Sequence, residues 1–176
     1  MKKIFILLIV MFLVYITYSN FNKKNSYLLS LGDTYFYSDN FLINNNDFVD
    51  ELYRTTDVLK DIYNNKDINQ SIKNAIIKSD VIILSVGKND VLAKLMYSED
   101  DIFNFIDQIM IDMDELFNEI NSLTKEEVIV REIILDNEIF EIYFNKKLYE
   151  LCNKYDFNFI SKDEDISEFI ENNRLI

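Results

Sequence analysis

The stretch Val81-Ile82-Ile83-Leu84-Ser85-Val86 is six residues without a charge, most of them β-branched. It does not alternate, so a strand made from it must be covered on both faces. The segment 127–135 reads the same way, through Val128, Ile129, Val130, Ile133, Ile134 and Leu135. Residues 27–31 read as a shorter buried strand, and 156–161 alternate like a last one. Between these runs the apolar spacing changes to steps of three and four. It is clearest over 99–122, where Ile102, Phe105, Ile106, Ile109, Met110, Met113, Leu116, Phe117 and Ile120 recur. Ser98, with Asp101 three residues on, is the expected cap of that helix. Further helices are expected over 47–63, 69–78, 139–154 and 163–172. Strands alternating with helices predict an α/β domain: a three-layer α/β/α arrangement on a parallel sheet of four to five strands, joined by right-handed crossovers.

Length and composition fit one such domain. The 176 residues are 49% hydrophobic and 14% aromatic, enough for a packed core. The net charge is −13. That surface repels nucleic-acid phosphates and anionic lipid headgroups, so no nucleic-acid partner is expected. There is one cysteine and no histidine. Cys152 falls on an apolar helical stripe with Leu148 and Leu151 and reads as core. Without histidine or a second thiol, zinc has no ligand set, and no spacing resembles a calcium loop. No metal and no cofactor are expected.

The first 20 residues read as an export segment. Lys2 and Lys3 precede an uncharged run over 4–18. At 15 residues the run is shorter than the roughly 20 a helix needs to span a bilayer, although residues 19–22 extend it. No A-x-A cleavage pattern follows. The expected organisation is an N-terminal signal or anchor over 1–20, a linker over 21–26, and one domain over 27–176. The domain is then extracytoplasmic, tethered to the membrane by 4–18, or secreted if the segment is cleaved.

The two glycines of the chain mark the chemistry. Gly32 closes the first apolar run in Leu31-Gly32-Asp33-Thr34. Gly87 closes the 81–86 run in Gly87-Lys88-Asn89-Asp90. Glycine is suited to a sharp turn at a strand end that bares backbone N–H groups. In open parallel sheets, ligands bind at the carboxyl ends of the strands. Thr34 offers a hydroxyl there, Asn89 a carboxamide, and Asp33 and Asp90 carboxylates. A hydroxyl beside a carboxamide and N–H donors is the makings of an acyl-transfer site. Each turn also has a plainer reading, in which Asp33 or Thr34, and Asn89 or Asp90, caps the helix that follows. Gly87-Lys88 is not a P-loop, since no glycine lies five residues upstream and Asn89 stands where Ser or Thr is required.

Taken in order, these blocks resemble the SGNH/GDSL family of esterases and lipases. The family's first block is a strand ending in Gly-Asp-Ser, matched here by Gly32-Asp33-Thr34. Its third block is Gly-x-Asn-Asp, matched by Gly87-Lys88-Asn89-Asp90. The stretch Tyr53-Arg54-Thr55-Thr56-Asp57-Val58-Leu59 is similar to one in bacterial members. The later helix carrying Asn145 and Leu148 and the strand at Asn158-Phe159-Ile160 follow the same pattern, so the resemblance covers 26–161. It implies a flavodoxin-like parallel sheet. It also implies Thr34 at the nucleophile position, Asn89 as the oxyanion side chain, and Gly87, Asp33 and Asp90 in support. An acyl ester or acylated glycan is the implied ligand.

The chain also departs from the family pattern. Thr34 carries a branched Cβ where the family has serine. No glycine lies between Gly32 and Gly87 to supply the second block's N–H, and the stretch 38–58 is short for a helix plus a second strand. The family's Asp-x-x-His block, which supplies the general base, has no counterpart here. Lys88 is expected to point to solvent, and Asp163 and Asp165 are poor bases near neutral pH. In a comparable triad, loss of the base costs on the order of 10⁶ in kcat. Three readings follow: an impaired ester hydrolase, a non-catalytic ligand-binding or structural module, or the truncated product of a longer acylhydrolase gene.

Overall fold

The computed structural model describes residues 27–32, 48–49, 54–63, 72–98 and 100–173. In chain order these form β1 (Leu28–Gly32), β2 (Phe48–Val49), α1 (Thr55–Tyr63), α2 (Ile72–Lys78), β3 (Val81–Ser85) and α3 (Lys88–Leu95). There follow α4 (Ile102–Leu123), β4 (Glu127–Arg131), α5 (Glu138–Tyr155), β5 (Asn158–Ile160) and α6 (Ile166–Asn172). The strands make one sheet in the order β2-β1-β3-β4-β5, every pair parallel. The chain starts near the middle and winds outward in both directions. Its switch point, where the strand order reverses, lies between β1 and β3.

The central strands are buried along their length, as their unbroken apolar runs require. Each face takes alternate residues. Leu29, Leu31, Ile82, Leu84, Val128 and Val130 join the larger core with α1 to α5. Leu28, Val81, Ile83, Ile129 and Ile160 face the other way, onto Ile166 and Ile170 of α6. The three layers are therefore unequal among the described residues, with five helices on one face and one on the other.

The long helix α4 organises the crowded face. Its buried residues, Ile102, Ile106, Ile109, Met113, Leu116, Phe117 and Ile120, follow the expected stripe. It packs against α1, α2, α3 and α5. Helices α4 and α5 run side by side in the same direction. Phe103 sets its ring edge-on to Phe140 and Tyr143. Further along, Asp107 meets Lys147 at 2.9 Å, and Asp114 meets Lys154 at 2.6 Å. Cys152 is buried in this core, where desolvation pushes its thiol up to about 12. It is an inert packing residue.

Several element boundaries differ from expectation. The helix expected over 47–63 is a short strand, β2, followed by α1, because Phe48 and Val49 pair with Leu31 and Gly32 at the sheet edge. Helix α3 follows Gly87, as the plainer reading of that turn expects, but neither Asn89 nor Asp90 caps it. Ser98 does not cap α4. Its hydroxyl accepts from Asp100 N at 2.9 Å and closes a turn before the helix. Asp101 precedes α4 in a left-handed conformation, φ 58°, and makes no side-chain cap.

The strand expected over 127–135 stops at Arg131. Side chains of α5 replace the missing ladder. Asn145 accepts from Ile133 N at 3.0 Å and donates to Ile133 O at 2.9 Å. Glu141 accepts from Leu135 N at 2.8 Å. Buried backbone groups must be paired, and here the helix pairs them. Asn145→Ala would leave both groups of Ile133 unmatched. It is expected to cost about 2 kcal/mol or more, read as a lower urea midpoint with an unchanged slope.

Candidate functional site

Strands β1 and β3 lie directly beside each other, with Gly32 opposite Ser85. Both glycines therefore stand at the carboxyl edge of the sheet, at its switch point, where ligands of open α/β folds bind. Gly32 has φ +114°. A Cβ added there would fall on the carbonyl oxygen of Ser85, far inside van der Waals contact. That oxygen is backbone on a buried central strand and cannot step aside. Asp33 and Thr34, the expected supporting acid and nucleophile, lie outside the described residues.

Gly87 has φ +101° and precedes the first residue of α3. A Cβ on it would collide with the ends of Phe144 and Met113, side chains of α5 and α4. The start of α3 thus rests against the core with no room beneath it. Lys88 and Asn89 are half-buried in the first turn of that helix. Helical first turns carry N–H groups with no intrahelical acceptor, and the macrodipole adds partial positive charge there. Asn89 consequently sits on an electropositive helix start at the carboxyl edge, one strand away from Gly32.

The sequence offers Asp90 as a supporting carboxylate or as a cap of the helix that follows Gly87. It does not cap its own helix: Gly87 is the cap residue of α3 and makes no side-chain cap bond. Asp90 reaches across to α1 instead. Its Oδ2 accepts from Thr55 N at 3.0 Å and from Thr55 Oγ1 at 3.0 Å. Both residues are buried, Asp90 8% exposed and Thr55 not at all. Burial pushes the Asp90 carboxyl above the usual aspartate range, against the pull of the two Thr55 hydrogen bonds and the Arg54 charge. Thr55 belongs to the Tyr53–Leu59 stretch singled out in the sequence. That stretch and the Gly87 block are one hydrogen-bonded unit. Thr55 is sealed from solvent, so its hydroxyl is a structural donor and not a nucleophile.

At the far end of the carboxyl edge, the β4 and β5 loops are stitched together. Glu132 accepts from Ser161 Oγ at 3.2 Å, from Lys162 N at 2.9 Å and from Asn145 Nδ2 at 3.2 Å. Lys162 Nζ donates to Glu141 at 2.6 Å. That bond and the Glu141 charge raise the Lys162 pKa, so the amine stays an ammonium ion and not a base. Burial opposes ionisation of Glu141, but Lys162 and Leu135 N outweigh it and hold its pKa below the ordinary value. Composition could not single out this network, because its members are scattered over 31 residues of sequence. Asn145 was legible only as part of a helix.

The two carboxylates weighed as substitute bases are placed differently. Asp165 caps α6, accepting from Glu168 N at 3.3 Å. Asp163 is exposed in the turn before it. Among the described residues no group of three or more Cys, Asp or Glu is placed to hold a metal ion.

No protein-family model matches the sequence, and no curated protein matches it. Solved structures do match. The acetyl xylan esterase AlAXEase is similar with a TM-score of 0.56 at 12% identity, over 84% of this chain and 83% of that one. An extracellular lipase from Streptomyces rimosus is similar with a TM-score of 0.52 at 14% identity, over 77% of this chain and 80% of that one. The likeness is one of fold: the chain has the α/β architecture of these hydrolases.

Two outcomes follow from the geometry. Gly32→Ala combines a left-handed backbone with a clash against a strand carbonyl, and is expected to cost about 3 kcal/mol or more, measured as a loss of Tm. Asp90 has a folded-state pKa above its unfolded one. The folded state therefore holds that proton more tightly, and stability falls as pH rises from the unfolded pKa through the folded one. Asp90→Asn keeps an acceptor for Thr55 without the charge. Its stability relative to the native chain is expected to improve as pH rises through that window and to stay level above it, read by urea unfolding at pH 4 and pH 7.

Proposed function

We propose that residues 27–176 form an SGNH-type domain that holds an acyl ester at the carboxyl edge of β1 and β3, with little or no turnover. The observation that carries this reading is the side-by-side placement of the two glycine-closed strands, with Asn89 in the first turn of α3. In this reading Asn89 donates to the ester carbonyl and Thr34 occupies the nucleophile position. Gly87 keeps the first turn of α3 close to the core, and Asp33 and Asp90 support the two turns. The ligand class is an acyl ester or an acylated glycan. The likeness to an acetyl xylan esterase supports the second form, a short acyl group on a sugar.

Weak chemistry follows from what these 176 residues contain. There is no histidine to take a proton from Thr34. Lys162 is held as a cation, and Asp165 is engaged as a helix cap. A hydroxyl without a base is a poor nucleophile, whereas an oxyanion donor and a shaped pocket still bind. The alternative is an ester hydrolase of altered mechanism through Thr34.

The proposal includes an extracytoplasmic location. Lys2, Lys3 and the uncharged run over 4–18 support export and a membrane tether. Residues 4–18 lie outside the described residues, and among the described ones no helix is long and apolar enough to cross a membrane. The acidic surface argues for a neutral or glycan ligand over nucleic acid.

Hydrolysis of 4-nitrophenyl acetate by the full chain and by Thr34→Ala tests the reading. Equal background rates are expected. A rate that falls at least ten-fold in Thr34→Ala would establish the hydrolase alternative instead.

A further inference from the structure

The Tyr53–Leu59 stretch has so far no role at the site, and the Thr55–Asp90 contact gives it one. Helix α3 is only eight residues long and starts without a side-chain cap. Two things locate its first turn. Gly87 sits against Phe144 and Met113, which sets its depth. Asp90 is tied to Thr55, 35 residues earlier, by two hydrogen bonds through one carboxylate oxygen. That tie is buried and joins the start of α3 to the start of α1, the latter lying on α4. Asn89 is the residue between Lys88 and Asp90 in the same turn, so its backbone cannot rotate about the helix axis while the tie holds.

We propose that Thr55 and Asp90 are positioning residues that fix the orientation of Asn89 at the carboxyl edge. This rests on the reading of Asn89 as the ester-carbonyl donor. The pair does no chemistry itself, because Thr55 is fully buried. It makes Asn89 a fixed donor, and a preorganised donor binds a carbonyl better than a mobile one. The carboxylate suits this task because one oxygen can take both the N–H and the hydroxyl of Thr55. Asparagine in its place retains an acceptor oxygen, whereas alanine retains none.

The test has two arms, both on the full chain. The first needs no ligand. Val91 N donates to Gly87 O at 3.1 Å and closes the first turn of α3. In Thr55→Val, amide exchange at Val91 is expected to speed up about ten-fold, with Thr124 N, at the far end of α4, unchanged. Asp90→Asn is expected to exchange at close to the native rate. Equal Val91 exchange in the native chain and Thr55→Val overturns the positioning role. The second arm titrates 4-nitroacetanilide, the amide analogue of the ester probe, into the native chain, Asn89→Ala, Thr55→Val and the double variant. Each single change is expected to weaken binding about five-fold, and the double variant to bind no more weakly than Asn89→Ala alone. Additive losses overturn the proposal, because Thr55 would then act other than through Asn89. No binding by the native chain sinks the ester-site reading by itself, and the exchange arm then decides whether the pair positions the turn.

Discussion

At the carboxyl ends of β1 and β3 the two backbones approach so closely that no Cβ fits between Gly32 and Ser85. Much else depends on that contact. It lets the first strand sit directly beside the third, the central strand of the sheet, which puts the switch point between them. Gly32 and the first turn of α3 then stand close together at the carboxyl edge of the sheet. Groups carried on two such neighbouring strand ends are held in a fixed mutual orientation, which is what a binding site at a sheet edge requires.

The packing of the helices serves the same edge. Five helices crowd one face among the described residues, and α4 touches four elements of that layer. Met113 on α4 and Phe144 on α5 form the floor beneath Gly87. The start of α3 is thus set by the two longest helices, while its rotation is set by the Thr55–Asp90 bond. At the far end, Glu132, Glu141, Asn145 and Lys162 hold the loops after β4 and β5 by hydrogen bonds in place of a strand ladder. Charge is spent there on rigidity. Lys162 is consequently a fixed cation, which removes the one amine on that loop from base chemistry.

The fold is legible in the sequence where one dominant force writes a periodic pattern. Burial on both faces shows as unbroken runs at 81–86 and 128–130, and burial on one face shows as the stripe of α4. The fold is not legible there where hydrogen bonds between distant residues decide the outcome. Ile133, Ile134 and Leu135 are as apolar as the strand before them, yet Asn145 takes the backbone groups of Ile133 and Glu141 that of Leu135, and the strand ends. Phe48 fits a helical stripe and is a strand residue because Leu31 offers it a partner. Asp90 resembles a local cap and in fact holds a helix 35 residues away.

By itself the sequence determined the fold class, the order of the principal elements and the position of both glycine turns. Each of these follows from local sterics and from the periodicity of apolar burial, which a chain carries along its length. The tertiary structure alone shows that five helices share one face among the described residues, and that Thr55 answers Asp90. Those are pairings between residues far apart in sequence. Their energy exists only once the sheet has brought both partners into a buried space where neither can turn to water instead.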